Sequence, residues 1–236
     1  MQRSIRALNP AVRSPRVEAL FPVAVVAFEL TGTASAAVLT EDELACISHC
    51  YGKRIEQFAG GRACAHQALA ELGWDGFSLL PAADRQPLWP AGVTGSITHT
   101  EGYCAAVAAR RGALRGLGID SEEIARVHAE LWPGITAPQE LAALEALPPG
   151  AALKQAALAF AAKEAFYKSQ FPLTAEWLKF ADVVIECTGQ PAADGAGTFR
   201  VLPQRDLRIT REISGTIAGR FRVHGGYLTA ALALVA

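Results

Sequence analysis

His99-Thr100-Glu101-Gly102-Tyr103-Cys104-Ala105-Ala106-Val107-Ala108 has a counterpart later in the chain, His224-Gly225-Gly226-Tyr227-Leu228-Thr229-Ala230-Ala231-Leu232-Ala233. Each stretch opens on a histidine, turns, and runs into a strand rich in alanine and branched aliphatics. The two lie 124 to 125 positions apart, about half of the 236 residues. An echo at that distance predicts an α+β protein built as a pseudo-dimer of two similar α+β lobes. A ligand cleft is expected at their junction, a common place for a small-molecule site. The expected division is a flexible N-terminal arm over 1–20, an N-terminal lobe over 21–115 and a C-terminal lobe over 116–236. Arg3, Arg6, Arg13 and Arg16 belong to the arm.

Working outward from the echo, 23–30 reads as a strand. Two helical stretches follow, 48–58 and 62–72, separated by a break at Gly60-Gly61. Residues 75–95 are loop-rich, with Pro81, Pro87, Pro90 and Gly92. Strands are expected at 95–98, 104–110 and 117–122, and helices at 138–147 and 151–169. Further strands are expected at 180–187, 199–202, 216–223 and 227–235, with a Gly/Pro/Asp turn region at 188–197.

Two acidic clusters stand out on this frame. Gly118-Ile119-Asp120-Ser121-Glu122 falls on a strand, where alternation sends Asp120 and Glu122 to one face. Phe160-Ala161-Ala162-Lys163-Glu164-Ala165-Phe166-Tyr167-Lys168 falls on a helix, with Glu164 and Lys168 one turn apart. Each has a plain reading as a solvated face or a surface ion pair. The apolar and small neighbours argue instead for half-buried carboxylates, which need a partner. Three carboxylates edged by lysines suit a hard divalent cation such as Mg²⁺ that also holds phosphate oxygens. Cations for further phosphates are available in Lys53, Arg54, Arg62 and Arg85, and Gly95-Ser96-Ile97-Thr98-His99-Thr100 adds hydroxyls and a histidine. Arginine suits phosphate through paired hydrogen bonds.

Composition narrows the class. The chain is 51% hydrophobic and 19% charged with a net charge of −1, so no global basic field argues for nucleic acid or a membrane surface. The five cysteines include no C-x-x-C and read as free thiols of a reducing compartment. The small-residue stretch after the apolar run Phe21 to Phe28 mimics a processing site. Glu29 interrupts that run and no segment reaches the ~18 apolar residues of a span, so the expected location is cytoplasmic, without membrane insertion.

The quoted residues also form an ordered set: Lys53-Arg54, Gly61-Arg62-Ala63-Cys64-Ala65, Trp89-Pro90-Ala91-Gly92-Val93-Thr94-Gly95-Ser96-Ile97-Thr98-His99-Thr100, Gly118-Ile119-Asp120-Ser121-Glu122 and Lys163-Glu164-Ala165-Phe166-Tyr167-Lys168. In this order they resemble the 4′-phosphopantetheinyl transferases. The likeness is strongest to the branch of enterobactin synthetase component D and weaker to the surfactin-synthetase-activating type. It runs from about residue 45 to 185 and carries four motifs, Lys53-Arg54 and Gly61–Ala65 counting as one.

The resemblance implies transfer of phosphopantetheine from coenzyme A to a serine of an apo acyl or peptidyl carrier protein, with release of 3′,5′-adenosine bisphosphate. It implies Mg²⁺ (Mn²⁺ able to substitute) on Asp120, Glu122 and Glu164, while function as a monomer follows only from the duplication. Glu164 would take the serine proton, directly or through water, and Lys163 and Lys168 would neutralise phosphates, Lys168 at the one transferred. Arg54, Arg62 and His99, with Thr98 assisting, would hold the 3′-phosphate, Arg85 would lie against the adenine or its phosphate, and Lys53 would be a further coenzyme-A-binding residue. Ser121 stands where relatives often have an apolar residue or alanine, and Thr98 where many have serine. The carrier is expected to dock near 125–150, on Leu131, Trp132 and Ile135. Two other classes fit the same residues: a non-catalytic coenzyme-A-binding or scaffold relative, and a Mg²⁺-dependent phosphohydrolase.

Overall fold

The computed structural model describes residues 9–112, 114–188 and 195–235. Arg3 and Arg6 of the expected arm, and most of the expected 188–197 turn, lie outside the described residues. The chain forms two compact units. One comprises the described part of Met1–Glu18 with Ala24–Arg110; the other comprises Ala19–Val23 with Arg111–Ala236.

In the first unit the elements are β1 (Val12–Arg13), α1 (Pro15–Glu18), β2 (Val26–Thr31), α2 (Glu41–Cys46), α3 (Lys53–Glu71), β3 (Val93–Thr100) and β4 (Tyr103–Arg110). The strands form an antiparallel sheet in the order β1-β2-β4-β3. Residues 9–18 are therefore not a loose arm. β1 pairs with β2, Val17 is buried, and Arg16 donates twice to Glu29 at 2.8 and 3.0 Å. Tyr103 Oη donates to the same Glu29 carboxylate at 2.9 Å, so the residue that breaks the apolar run is a half-buried tie within this unit. α2 begins at a capping box: Thr40 Oγ1 accepts from the Glu43 amide and Glu43 Oε2 accepts from the Thr40 amide.

α3 runs unbroken through Gly60-Gly61, which corrects the expected helix break. The reason is packing. A Cβ on Gly60 would lie 2.6 Å from Cys104 Sγ on β4, and one on Gly61 2.8 Å from Ile97 Cγ2 on β3. The glycines let the helix lie closely on the sheet, where Cys104, Ala106 and Ala108 of β4 meet Ala59, Ala65, Ala68 and Leu69 of α3. Helix propensity lost at a glycine, about 1 kcal/mol, is outweighed by this contact.

The second unit contains β5 (Leu114–Glu123), α4 (Trp132–Ile135), α5 (Pro138–Glu145), α6 (Pro149–Thr174), β6 (Val183–Thr188), β7 (Ala196–Pro203), α7 (Arg208–Glu212), β8 (Ala218–His224) and β9 (Tyr227–Val235). Its antiparallel sheet has the order β5-β9-β8-β7-β6. The echo now has a topological meaning. In each unit the strand after the tight turn, β4 or β9, pairs with its hairpin partner and with the strand that precedes the main helix. Trp132 and Ile135, expected as a docking face, belong to the core of this unit, and Trp132 Nε1 donates to the Val127 carbonyl at 2.9 Å. Leu131 is exposed as expected.

α6 lies across β5 and β9. Gly116 and Gly118 alternate with Leu117 and Ile119, so they share one face of β5, and a methyl group on either would collide with the Ser169 or the Ala165 carbonyl of α6. The next two positions on that face are Asp120 and Glu122.

Candidate active site

The close approach of α6 to β5 decides which side chains meet. Lys168 reaches back over β5, donating to Asp120 Oδ1 at 2.6 Å and to the Ile119 carbonyl at 3.3 Å. Glu164 lies one turn earlier on the same helical stripe. Burial first, then the Asp120 charge, raises the Glu164 pKa above its ordinary range, with Lys168 opposing. Glu122 is pushed up to about 8 by burial, then by Asp120 and Glu164, against Lys168 and Arg126. Asp120, Glu122, Glu164 and Lys168 are thus one electrostatic cluster. Among the described residues, no three His, Cys, Asp or Glu side chains stand as a ready-made metal-binding group. The structure shows instead carboxylates whose ionised forms repel one another, with Lys168 as the near cation. Three oxygen donors in that condition fit a hard divalent ion, which removes the repulsion. Ser121 points the other way, its Oγ 2.8 Å from Thr229 Oγ1 on β9, as strand alternation demands.

Lys163 does not join the cluster. The residue is 3% exposed, and Nζ donates to the Phe180 carbonyl at 2.8 Å and the Ile135 carbonyl at 3.3 Å while pairing with Glu140. The sequence reading placed it on phosphate; here the ammonium is spent on protein acceptors. Residues five apart on a helix sit about 140° apart around the axis at 3.6 residues per turn, so Lys163 and Lys168 face different surroundings.

Beside the cluster is a pocket of about 230 Å³ lined by Lys163, Glu164, Tyr167, Trp177, Leu178, Lys179, Phe180 and Val183. Tyr167 stacks on Phe171 at 5.0 Å, and Trp177, 73% exposed, packs on both rings at 5.8 and 5.3 Å. The segment that carries Trp177 is tied down by Arg205, which bonds Glu176 at 2.7 Å and Asp182 at 3.1 Å. Sequence reasoning gave Tyr167, Trp177 and Lys179 no role. Tyr167 stood inside the quoted motif and lies three positions after Glu164, the only signal available.

The expected basic residues lie in the first unit. Arg54 Nη1 is 3.4 Å from His99 Nε2, so these two are brought together. Arg62 is 6% exposed, with Nε donating to the Leu79 carbonyl at 2.7 Å and the guanidinium over the Phe58 ring at 4.3 Å. Burial lowers its pKa to about 10, opposed by Glu43 and aided by the like charge of Arg54. Lys53 pairs on the surface with Glu101 at 2.8 Å. Thr98 is buried and, being adjacent to His99 on β3, faces the opposite side of the sheet, so its hydroxyl is not aimed where the His99 ring is. Arg85 is exposed at a loop tip with φ 70°, held by an Ala82–Gln86 backbone bond of 2.8 Å.

Glu43 is the other buried carboxylate. Its oxygens accept from His66 Nε2 at 2.8 Å, the Leu79 amide at 2.9 Å and the Thr40 amide at 3.0 Å. Burial alone would raise its pKa, but these donors win and hold it below the ordinary value. None of the five cysteines is in a disulfide, and Cys64 and Cys104 are buried, as composition led one to expect. No helix among the described residues is long and apolar enough to cross a membrane.

Comparison with known proteins matches residues 40–109 to the 4′-phosphopantetheinyl transferase N-terminal domain and 116–224 to the 4′-phosphopantetheinyl transferase superfamily. A 4′-phosphopantetheinyl transferase of Mycobacterium tuberculosis is 36% identical over 82% of this chain and 85% of its own length. This chain belongs to the 4′-phosphopantetheinyl transferase family. A 4′-phosphopantetheinyl transferase of Nocardia iowensis is 40% identical over 62% of this chain and 66% of that relative. Enterobactin synthase component D of Escherichia coli K12 is 38% identical over 52% and 58%. The branch singled out from the motifs is therefore among the relatives, though the mycobacterial protein is matched over more of the chain.

Proposed function

We propose that this member of the family moves 4′-phosphopantetheine from coenzyme A to a serine hydroxyl of an apo acyl or peptidyl carrier protein, releasing 3′,5′-adenosine bisphosphate. The observation that supports it most is the Asp120–Glu122–Glu164 cluster with Lys168 at 2.6 Å from Asp120: elevated proton affinity and a cation side by side. Phosphoryl-group transfer needs mostly positioning and charge neutralisation.

Mg²⁺, with Mn²⁺ able to substitute, would be held by Asp120, Glu122 and Glu164, and when bound supplies charge neutralisation at the pyrophosphate. Lys168 exchanges Asp120 for an oxygen of the transferring phosphate. Glu164 accepts the serine proton; its raised pKa makes it a stronger base than an ordinary carboxylate. The serine O–P bond forms as the bond from that phosphorus to the bisphosphate oxygen breaks. Arg54 and His99, with Arg62 behind them, hold the 3′-phosphate, while Lys53 and Arg85 act at the edge of the nucleotide. The pocket beside Glu164, lined by Tyr167, Leu178 and Phe180, receives the uncharged pantetheine arm. The working form is a cytoplasmic monomer with no nucleic-acid partner and no membrane insertion.

Incubation of an apo carrier protein with coenzyme A, Mg²⁺ and this chain, read by intact mass, tests the reading. A mass gain of one phosphopantetheinyl group on the serine is expected. Hydrolysis of coenzyme A without carrier modification would show a phosphohydrolase, and binding without either change a non-catalytic relative.

A further inference from the structure

The Lys163–Glu140 pair links more of the second unit than its size suggests. Lys163 immediately precedes Glu164, and its ammonium bonds the Ile135 and Phe180 carbonyls as well as Glu140. Glu140, in the first turn of α5, also accepts from the Ala137 amide through Oε2 and from the Ile185 amide through Oε1, both at 2.8 Å. One half-buried carboxylate therefore joins α6, the start of α5 and β6. Phe180, whose carbonyl Lys163 holds, and Val183 belong to the pocket wall, and the Phe180 ring meets Phe160 edge-on at 5.5 Å.

A buried ion pair is weak evidence of a stabilising role, because apolar pairs of similar volume often replace one without loss. What such a pair does supply is direction: fixed partners at fixed distances. We infer that Glu140 is a positioning residue for the transfer, acting through Lys163 to hold the pocket wall against the pantetheine arm. The inference rests on the function proposed above. A wall that shifts lets the arm slide, and with it the phosphorus relative to Glu164, the residue next to Lys163.

Two variants of the full chain test this, Glu140→Gln and the apolar pair Glu140→Leu/Lys163→Met, each checked for a cooperative melt. Each is assayed with coenzyme A and with an analogue lacking the terminal cysteamine unit. The wild-type protein should prefer coenzyme A. In both variants kcat/KM for coenzyme A should fall by roughly tenfold to a hundredfold, the scale of a small misplacement. The shortened analogue should change little, so the preference collapses. Calorimetric binding of the same two ligands reads the wall without turnover, and there too the preference should shrink. A folded variant that keeps the wild-type preference in binding overturns the inference, as does an equal fall for both ligands. Failure of both variants to fold overturns it as well, since the pair is then a requirement of folding. Absence of carrier modification by the wild-type protein, with the binding preference lost in the variants, would sink the proposed reaction and leave the positioning role standing.

Discussion

The two units solve one packing problem in opposite ways. In the first, the glycines are on the helix: Gly60 and Gly61 of α3 make room for side chains of the sheet, Cys104 and Ile97. In the second, they are on the strand: Gly116 and Gly118 of β5 make room for the backbone of α6. The charges differ in the same sense. The first unit buries a carboxylate, Glu43, among donors that satisfy it, and gathers Arg54, His99 and Arg62 nearby. The second gathers carboxylates that oppose one another. A satisfied buried charge holds a fold together, whereas an opposed one stores affinity for a cation.

The strongest test of that contrast removes one carboxylate from each unit. Glu164→Gln should lower the transfer rate by roughly a hundredfold to ten-thousandfold, the worth of a placed general base, and leave the melt cooperative. Glu43→Ala should cost about 3–5 kcal/mol of stability, the penalty of breaking a buried charge network, measured by denaturant titration. Equal loss of folding in both would erase the distinction. Saturating Mg²⁺ sharpens it further: a Glu164→Gln rate that recovers makes Glu164 a ligand only, and one that stays low keeps it as the base.

Next in size is the basic pair. Arg54→Ala or His99→Ala should weaken coenzyme A by about 1.5–3 kcal/mol per charged hydrogen bond lost, and 3′-dephospho-coenzyme A far less. Calorimetry with the two ligands decides, and equal weakening would detach these residues from the 3′-phosphate.

The glycines come third. Gly118→Ala meets a backbone carbonyl that cannot turn aside, and should cost about 1–3 kcal/mol as overpacking together with activity. Gly60→Ala meets the Cys104 side chain and regains about 1 kcal/mol of helix propensity, so its net cost should be smaller. A reversed order in thermal melts would break the comparison.

Much of this was legible beforehand, and the failures share a cause. The echo was readable because turn residues and alanine strands leave local marks. Asp120 with Glu122, and Glu164 with Lys168, followed from strand and helix periods. Gly60-Gly61 was misread because a glycine pair is judged by propensity, whereas its reason lies in Cys104 and Ile97, on strands far along the chain. Lys163 was placed on phosphate because a motif names residues without faces, and Thr98 was joined to His99 although neighbours on a strand point apart. Trp132 was read as a docking residue because aromatics serve cores and surfaces alike.

The smallest effect is on pH dependence, where the units should pull in opposite directions. Glu43 sits below its ordinary value of 4.5, so its contribution is present above that value and lost as pH falls through the folded one. Glu122 sits at about 8, so its contribution is complete below 4.5 and lost as pH rises through about 8. Mg²⁺ should therefore raise the melting temperature more on the alkaline side of about 8 than near neutrality. A shift independent of pH would mean the ion binds elsewhere.

The position of β5 at the edge of its sheet has a consequence for how the protein comes into being. Within that sheet its ladder neighbour is β9, and the hydroxyl bridge Ser121–Thr229 spans 108 positions. β2 can pair as soon as β4 is available, but the strand bearing Asp120 and Glu122 must wait for β9, far along the chain. The first unit should thus complete its own sheet early in folding, while the carboxylates of the second stay ungathered until that distant strand pairs.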